Sequence, residues 1–321
     1  MAVTLGTSRG SGGVPDVAVT APGSGVVVGL VPIVIEWYRQ HRRDLPWRGA
    51  DRTAWGVLVS EVMLAQTPVI RVQPVWQQWM ARWPTPRDLA AATPADLIRA
   101  WGRLGYPRRA LRLHAAAAAI VDRHGGRVPE HLDELLALPG IGSYTAAAVA
   151  SFAFGQRHAV LDTNVRRVLG RLLDGVEYPT ASATVAERRQ AEALLPADPT
   201  ESAEWSVAVM ELGALVCTAR NPRCADCPVQ RRCRWQARGA PAHCGPPRRG
   251  QAWHGTDRQV RGRIMALLRA AEHPVTAAAF AAAVPDAELR DPAQRARCLA
   301  GLITDGLVEP LPGNRFGLPG G

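Results

Sequence analysis

The chain contains no lysine, and all 38 of its basic residues are arginine. A guanidinium stays protonated and cannot act as an amine nucleophile, so lysine Schiff-base chemistry is closed to this protein. Six cysteines in 321 residues are too few for a dense disulfide framework. Alternating strand patterns are scarce. The apolar stretch over 26–35 is too short to span a bilayer. The N-terminus is rich in Gly, Ser and Pro and lacks the charged start, apolar run and cleavage site of a secretory signal. It predicts a disordered tail over 1–29, and the expected compartment is a reduced cytoplasm.

What the chain does have is a large apolar share, 47%, and a formal charge of +10 with a pI near 10.3. The first supports a real core. The second points to a polyanionic partner, nucleic acid above all. Helical periodicity dominates from residue 30 onward, with Pro and Gly at the joins, as in RWPTP, LGYP and LPGIG. The pattern predicts an all-α domain over 30–235, a linker over 236–256 and a small unit over 257–321. In that last unit three helices are followed by a strand pair turning at Gly313, which predicts a winged-helix-like unit.

Four cysteines cluster as C-x6-C-x2-C-x5-C: Cys217, Cys224, Cys227 and Cys233, while Cys244 and Cys298 lie apart. Four clustered thiolates call for an inorganic centre. From spacing alone, zinc and an iron–sulfur cluster are equally good readings. The rim carries Arg220, Arg223, Arg231, Arg232 and Arg234, suited to a phosphate backbone. Upstream, LPGIGSY has the form helix, tight turn, helix. Gly140 and Gly142 allow close backbone approach, and the helix that starts at Ser143 offers free amides to a phosphate. In LDTNVRRV, Asp162 opens a helix, where a plain N-cap is the simplest role for it. In SEVMLAQT, Glu61 lies among apolar neighbours, where desolvation would raise its proton affinity and suit it to general acid work.

SEVMLAQT, LPGIGSYTA, LDTNVRRV and MELGALVC with its four cysteines follow one another in this order. Together they resemble the MutY-type adenine DNA glycosylases of the helix-hairpin-helix superfamily, over residues 35–235. The resemblance implies a 4Fe-4S cluster on the four cysteines and a monomer acting on double-stranded DNA at the nucleoid. It implies a base-excision repair glycosylase that releases adenine mispaired with guanine or 8-oxoguanine. Glu61 would protonate the extruded adenine, and Asp162 would stabilise the positive sugar as the N-glycosidic bond breaks. Tyr144 takes the place of a catalytic lysine in related lyases, so base removal without strand cleavage is expected. Gln66 matches a residue that wedges into the base stack. Gly140, Gly142, Ser143 and Arg166 would contact DNA. Leu45, Pro46, Trp47 and Arg48, with Val69 and Val207, would line the base pocket.

The sequence also departs from that family. Ala65 replaces the first of two glutamines at the wedge. Val207 stands where Gln or Glu is usual near the adenine, and an apolar residue there resembles the thymine/uracil mismatch branch, whereas Val69 fits the adenine branch. The segment between Arg48 and Glu61 is one residue longer than usual. Residues 257–321 do not resemble the Nudix-like domain that reads 8-oxoguanine in typical members.

Overall fold

A computed structural model describes residues 29–245 and 253–321. The tail expected over 1–29 lies outside the described residues except for Gly29, as do residues 246–252 of the expected linker.

The helices run α1 Leu30–His41, α2 Ala54–Leu64, α3 Val69–Arg82, α4 Pro86–Ala90, α5 Pro94–Trp101, α6 Arg108–His124, α7 Leu132–Leu136 and α8 Ser143–Phe154. They continue with α9 Thr163–Leu169, a π-helical turn Gly170–Asp174, α10 Val185–Ala193, α11 Pro199–Leu215 and α12 Arg234–Ala237. Many begin at a side-chain cap that a helix end needs for its orphan amides. Thr53 accepts from Gly56, Thr85 and Thr184 form capping boxes with Asp88 and Glu187, and Asp198 accepts from Glu201.

These helices form two lobes, each with its own core. Residues of α2 to α8 build the first, around Leu58, Met63, Trp79, Trp101, Leu113 and Val149. The second joins the N-terminal α1 to α9, α10 and α11 through Leu30, Ile35, Leu169, Trp205 and Leu212. The helical domain over 30–235 therefore starts and ends in the second lobe and makes an excursion through the first. α8 packs on α2 in the first lobe and on α11 in the second. That bridge brings the ends of α2, α8 and α9 to the junction between lobes.

The sequence of α2, AWGVLVSEVML, is apolar nearly all round, and it is buried on nearly every side. The Ala-rich α8 behaves likewise, its small residues letting neighbours close on it.

The C-terminal unit holds α13 Asp257–Ala270, β1 Val275–Thr276, α14 Ala277–Ala283, α15 Gln294–Thr304, β2 Glu309–Leu311 and β3 Arg315–Gly317. The three strands pair antiparallel in the order β1-β3-β2, with Val275 opposite Phe316 and Pro310 also opposite Phe316. Gly313, with a φ of +78°, makes the turn of the wing. The two-residue β1 is too short to leave a periodic trace in sequence. Its core includes Ala95 and Ile98 of α5, so this unit is docked on the first lobe. No helix among the described residues is long and apolar enough to cross a membrane.

Candidate active site

Glu61 sits in the last turns of the buried helix α2 and is 4% exposed. Its Oε2 accepts a hydrogen bond of 2.7 Å from the Tyr144 hydroxyl, which comes from the first turn of α8. Burial pushes the Glu61 carboxyl up to about 7, against the opposing pull of the Tyr144 bond and the Arg48 charge. The Asp162 charge adds to the rise. Burial also pushes the Tyr144 hydroxyl well above its usual range, with the charges of Glu61 and Asp162 adding to it.

Asp162 is the N-cap of α9. Its Oδ1 accepts from the Val165 amide at 2.6 Å and its Oδ2 accepts from Asn164 Nδ2 at 2.7 Å. Burial raises its proton affinity, while those two donors and the Arg167 charge oppose the rise. Asn164 is itself held by Arg167, whose guanidinium reaches Gly213 O at 2.7 Å and Cys217 O at 2.8 Å. Glu61 thus comes from the first lobe and Asp162 from the second, and the two carboxylates act on each other and on one tyrosine. Such a pair has the chemistry to supply one proton and to carry one negative charge within a single site.

The four cysteines line one cavity together with Arg171, Val216 and Trp235. Among the described residues no group of three or more His, Cys, Asp or Glu comes together as ligands of a single ion. The cysteine set suits a larger, thiolate-held cluster better than one zinc ion. Donors already point at the sulfurs: Arg171 Nη1 lies 3.4 Å from Cys217 Sγ and Gln236 Nε2 lies 3.2 Å from Cys224 Sγ. The π-helical turn aims Arg171 into the cavity, and its guanidinium also stacks 4.7 Å from the Trp235 ring centroid.

Residues 59–191 match the HhH-GPD superfamily of base excision DNA repair proteins, and residues 217–233 match the iron-sulfur binding domain of endonuclease III. The adenine DNA glycosylase of Mycobacterium tuberculosis is 52% identical over 287 residues, covering 89% of this chain and 92% of that one. This chain belongs to the adenine DNA glycosylases. A solved thermostable thymine-DNA glycosylase is 27% identical with a TM-score of 0.61, covering 67% of this chain and 98% of that one. An endonuclease III trapped covalently on DNA is 26% identical with a TM-score of 0.56, covering 66% of this chain and 95% of that one. The enzyme is a base-excision repair glycosylase, a hydrolase acting on DNA, and its cysteine loop is a 4Fe-4S-binding loop.

Within this adenine DNA glycosylase the other expected site residues divide. Gln66 is exposed at the tip of the loop after α2 with a φ of +59°, a strained value for a non-glycine residue. Gly140, Gly142 and Ser143 are exposed on the hairpin between α7 and α8. Gly140 has a φ of +75°, and a Cβ there would meet Arg112 at 2.7 Å. No side chain caps α8, whose N-cap is Gly142, so its first-turn amides take no side-chain acceptor at that end. Val69 is half-buried against the first core and Val207 against the second.

One expectation is corrected. Arg166 does not face DNA: it is 7% exposed, ion-paired to Glu187 at 2.9 Å and bonded to Thr180 and Ser182. It braces the segment leading into α10. Trp47, expected in the base pocket, is buried with its ring edge-on to Trp76, and Leu45 lies in the same core. What this segment extends toward Glu61 is the charge of Arg48.

Sequence reasoning passed over Glu211 and Arg109. Glu211 is fully buried and takes both Arg43, at 2.7 Å, and Arg48, at 3.0 Å. These arginines hold its carboxyl down to about 2 despite burial. The signal was present in MELGALVC, an acid inside an apolar run. Arg109 donates to Val62, Met63 and Ala65 carbonyls at the end of α2, and to Thr67 Oγ1 and Gly105 O. It ties the loop of Gln66 to the loop before α6, a long-range link that no local pattern reveals.

Proposed function

We propose that the chain is a monofunctional adenine DNA glycosylase, working as a monomer on adenine mispaired with guanine or 8-oxoguanine. The observation that carries this reading is the buried Glu61, bonded to Tyr144 and electrostatically linked to Asp162 from the other lobe. With a carboxyl near 7, Glu61 is protonated in a useful fraction of molecules at neutral pH and donates to the extruded adenine. The base then leaves with the bonding electron pair. Asp162, ionised and anchored by Val165 and Asn164, stabilises the positive sugar until water adds to it. Tyr144 orients Glu61. Gln66 fills the stack vacated by the base. Without a lysine in the chain, the abasic product has no amine at the Tyr144 position to form a Schiff base, so the strand stays intact.

Cys217, Cys224, Cys227 and Cys233 would hold the 4Fe-4S cluster. Bound there, the cluster supplies a rigid crosslink and a redox-capable centre. Around it, Arg220, Arg231 and Arg232 are exposed and available to phosphates, whereas Arg223 and Arg234 donate inward to Leu215 and Leu173 carbonyls.

The test is a panel of labelled duplexes carrying A:G, A:8-oxoguanine, T:G and U:G, each run with and without alkali. Adenine release with strand cutting only after alkali is expected. No adenine loss from any mispair sinks the reading. A second reading, a thymine or uracil mismatch glycosylase, is favoured by the apolar Val207 on α11. Faster release from T:G than from A:G would establish it instead.

A further inference from the structure

The C-terminal unit is not needed for the two-carboxylate site, yet its placement is specific. Ala95 and Ile98 of α5 share one core with Ile264, Leu268 and Leu302 of that unit. Arg108 Nη1 reaches Asp305 Oδ1 at 3.0 Å, and Asp305 also takes Arg261. The unit is thereby fixed against residues 102–107, the loop before α6. The same loop is bonded to the wedge loop: Thr67 Oγ1 donates to Leu104 O at 3.2 Å, and Arg109 Nη2 bridges Thr67 and Gly105. Arg71 also donates to the Arg103 carbonyl.

At this seam two large aromatics are left open to solvent. Tyr106 is 48% exposed and Trp253 is 47% exposed. Tyr106 is also held at a φ of +48°, a cost for a bulky residue that the loop sustains. The Arg258 guanidinium lies over both, 5.9 Å from the Tyr106 ring centroid and 5.5 Å from that of Trp253. Arg103, exposed on the same loop as Tyr106, adds a second positive charge to this face.

We infer that Tyr106, Arg258 and Trp253, with Arg103, form one DNA-contact surface shared by the two units, continuous with the wedge loop. The partner is the substrate duplex itself, on the flank next to the extruded base. Its phosphates meet the guanidinium groups, and the rings offer faces to sugars or unstacked bases. This gives the C-terminal unit a role without a Nudix-like domain: it completes a grip that the glycosylase lobe only begins. The inference rests on reading Gln66 as the wedge.

The experiment is fluorescence anisotropy with a labelled A:G duplex over a salt series. It compares wild type with the double variant Trp253→Ala/Arg258→Ala and with Arg258→Glu. All are surface positions, and a thermal melt of each protein checks its folding. The double variant is expected to bind about tenfold more weakly. Its plot of log affinity against log salt should be shallower by about one. Arg258→Glu should weaken binding further. Affinity and slope equal to wild type in all variants would overturn the inference and leave the surface to a protein partner. Adenine release by the wild type, run in parallel, reports separately on the proposed function.

Discussion

Glu61 and Glu211 are the same residue type, both buried, and Arg48 acts on both, yet they end in opposite states. Glu61 meets a tyrosine hydroxyl and only the outlying charge of Arg48, and burial pushes it up to about 7. Glu211 meets two guanidinium groups and a backbone amide of Arg43, and it is held down to about 2. Burial alone therefore decides nothing about charge. The partners decide it: one glutamate is left able to hold a proton near neutral pH, and the other is a fixed anion between two arginines.

The largest effect should come from removing the proton at Glu61. Glu61→Gln should slow adenine release by about 10²–10⁴-fold in single-turnover assays while still binding DNA. Near-normal rates would dismiss the acid role.

Asp162→Asn separates the two readings of that residue. Asparagine caps a helix as well as aspartate, so stability should move by less than about 1 kcal/mol. The rate should fall by about 10²–10³-fold, because the charge facing the sugar is gone. A rate like wild type would reduce Asp162 to its capping bond.

Glu211→Gln leaves Arg43 and Arg48 with an uncharged partner in a buried place. A loss of about 3–5 kcal/mol in denaturant unfolding is expected. A loss under 1 kcal/mol would mean that the two arginines find other partners.

The same comparison can be sharpened with pH. The folded Glu61 carboxyl titrates near 7, above its unfolded value of 4.5, so the folded state holds that proton more tightly. Its contribution is fully present below pH 4.5 and is lost as pH rises through about 7. Glu61→Gln should therefore match wild type in stability at low pH and exceed it by about 3 kcal/mol at pH 8. Glu211 runs the other way: its contribution is present above 4.5 and is lost as pH falls toward 2. A pH-independent difference between Glu61→Gln and wild type would contradict the raised value.

The smallest effect concerns Tyr144→Phe. The hydroxyl lowers the proton affinity of Glu61, so its loss should raise it further. The alkaline fall in rate, expected near pH 7 in wild type, should move to higher pH. A shift to lower pH would mean that Tyr144 stabilises the protonated acid instead.

Much of this site was legible in order along the chain, for local reasons. An acid inside the apolar α2 reads as desolvated, and glycines before Ser143 read as a tight turn. Asp162 ahead of a periodic run reads as a cap, and four close cysteines read as a centre. Arg166 misled because a surface-looking RR pair gives no hint that its guanidinium turns inward to Glu187. Glu187 reads locally as the capping-box acid of α10, which gives no hint of its pairing with Arg166, and Arg109 acts across loops far apart in sequence.

Composition and local pattern were enough to set the helical class, the absence of a lysine amine and the presence of a cysteine centre, while the pairing of Glu61 with Asp162 came from the resemblance to a family. The first three depend on residue type and near-neighbour spacing. The charge state of Glu61 against Glu211, the inward turn of Arg166 and the seat of the C-terminal unit on α5 were decided only by folding. Each depends on which distant group is brought within a few ångströms in a low-dielectric interior, where one hydrogen bond or one guanidinium outweighs every local preference.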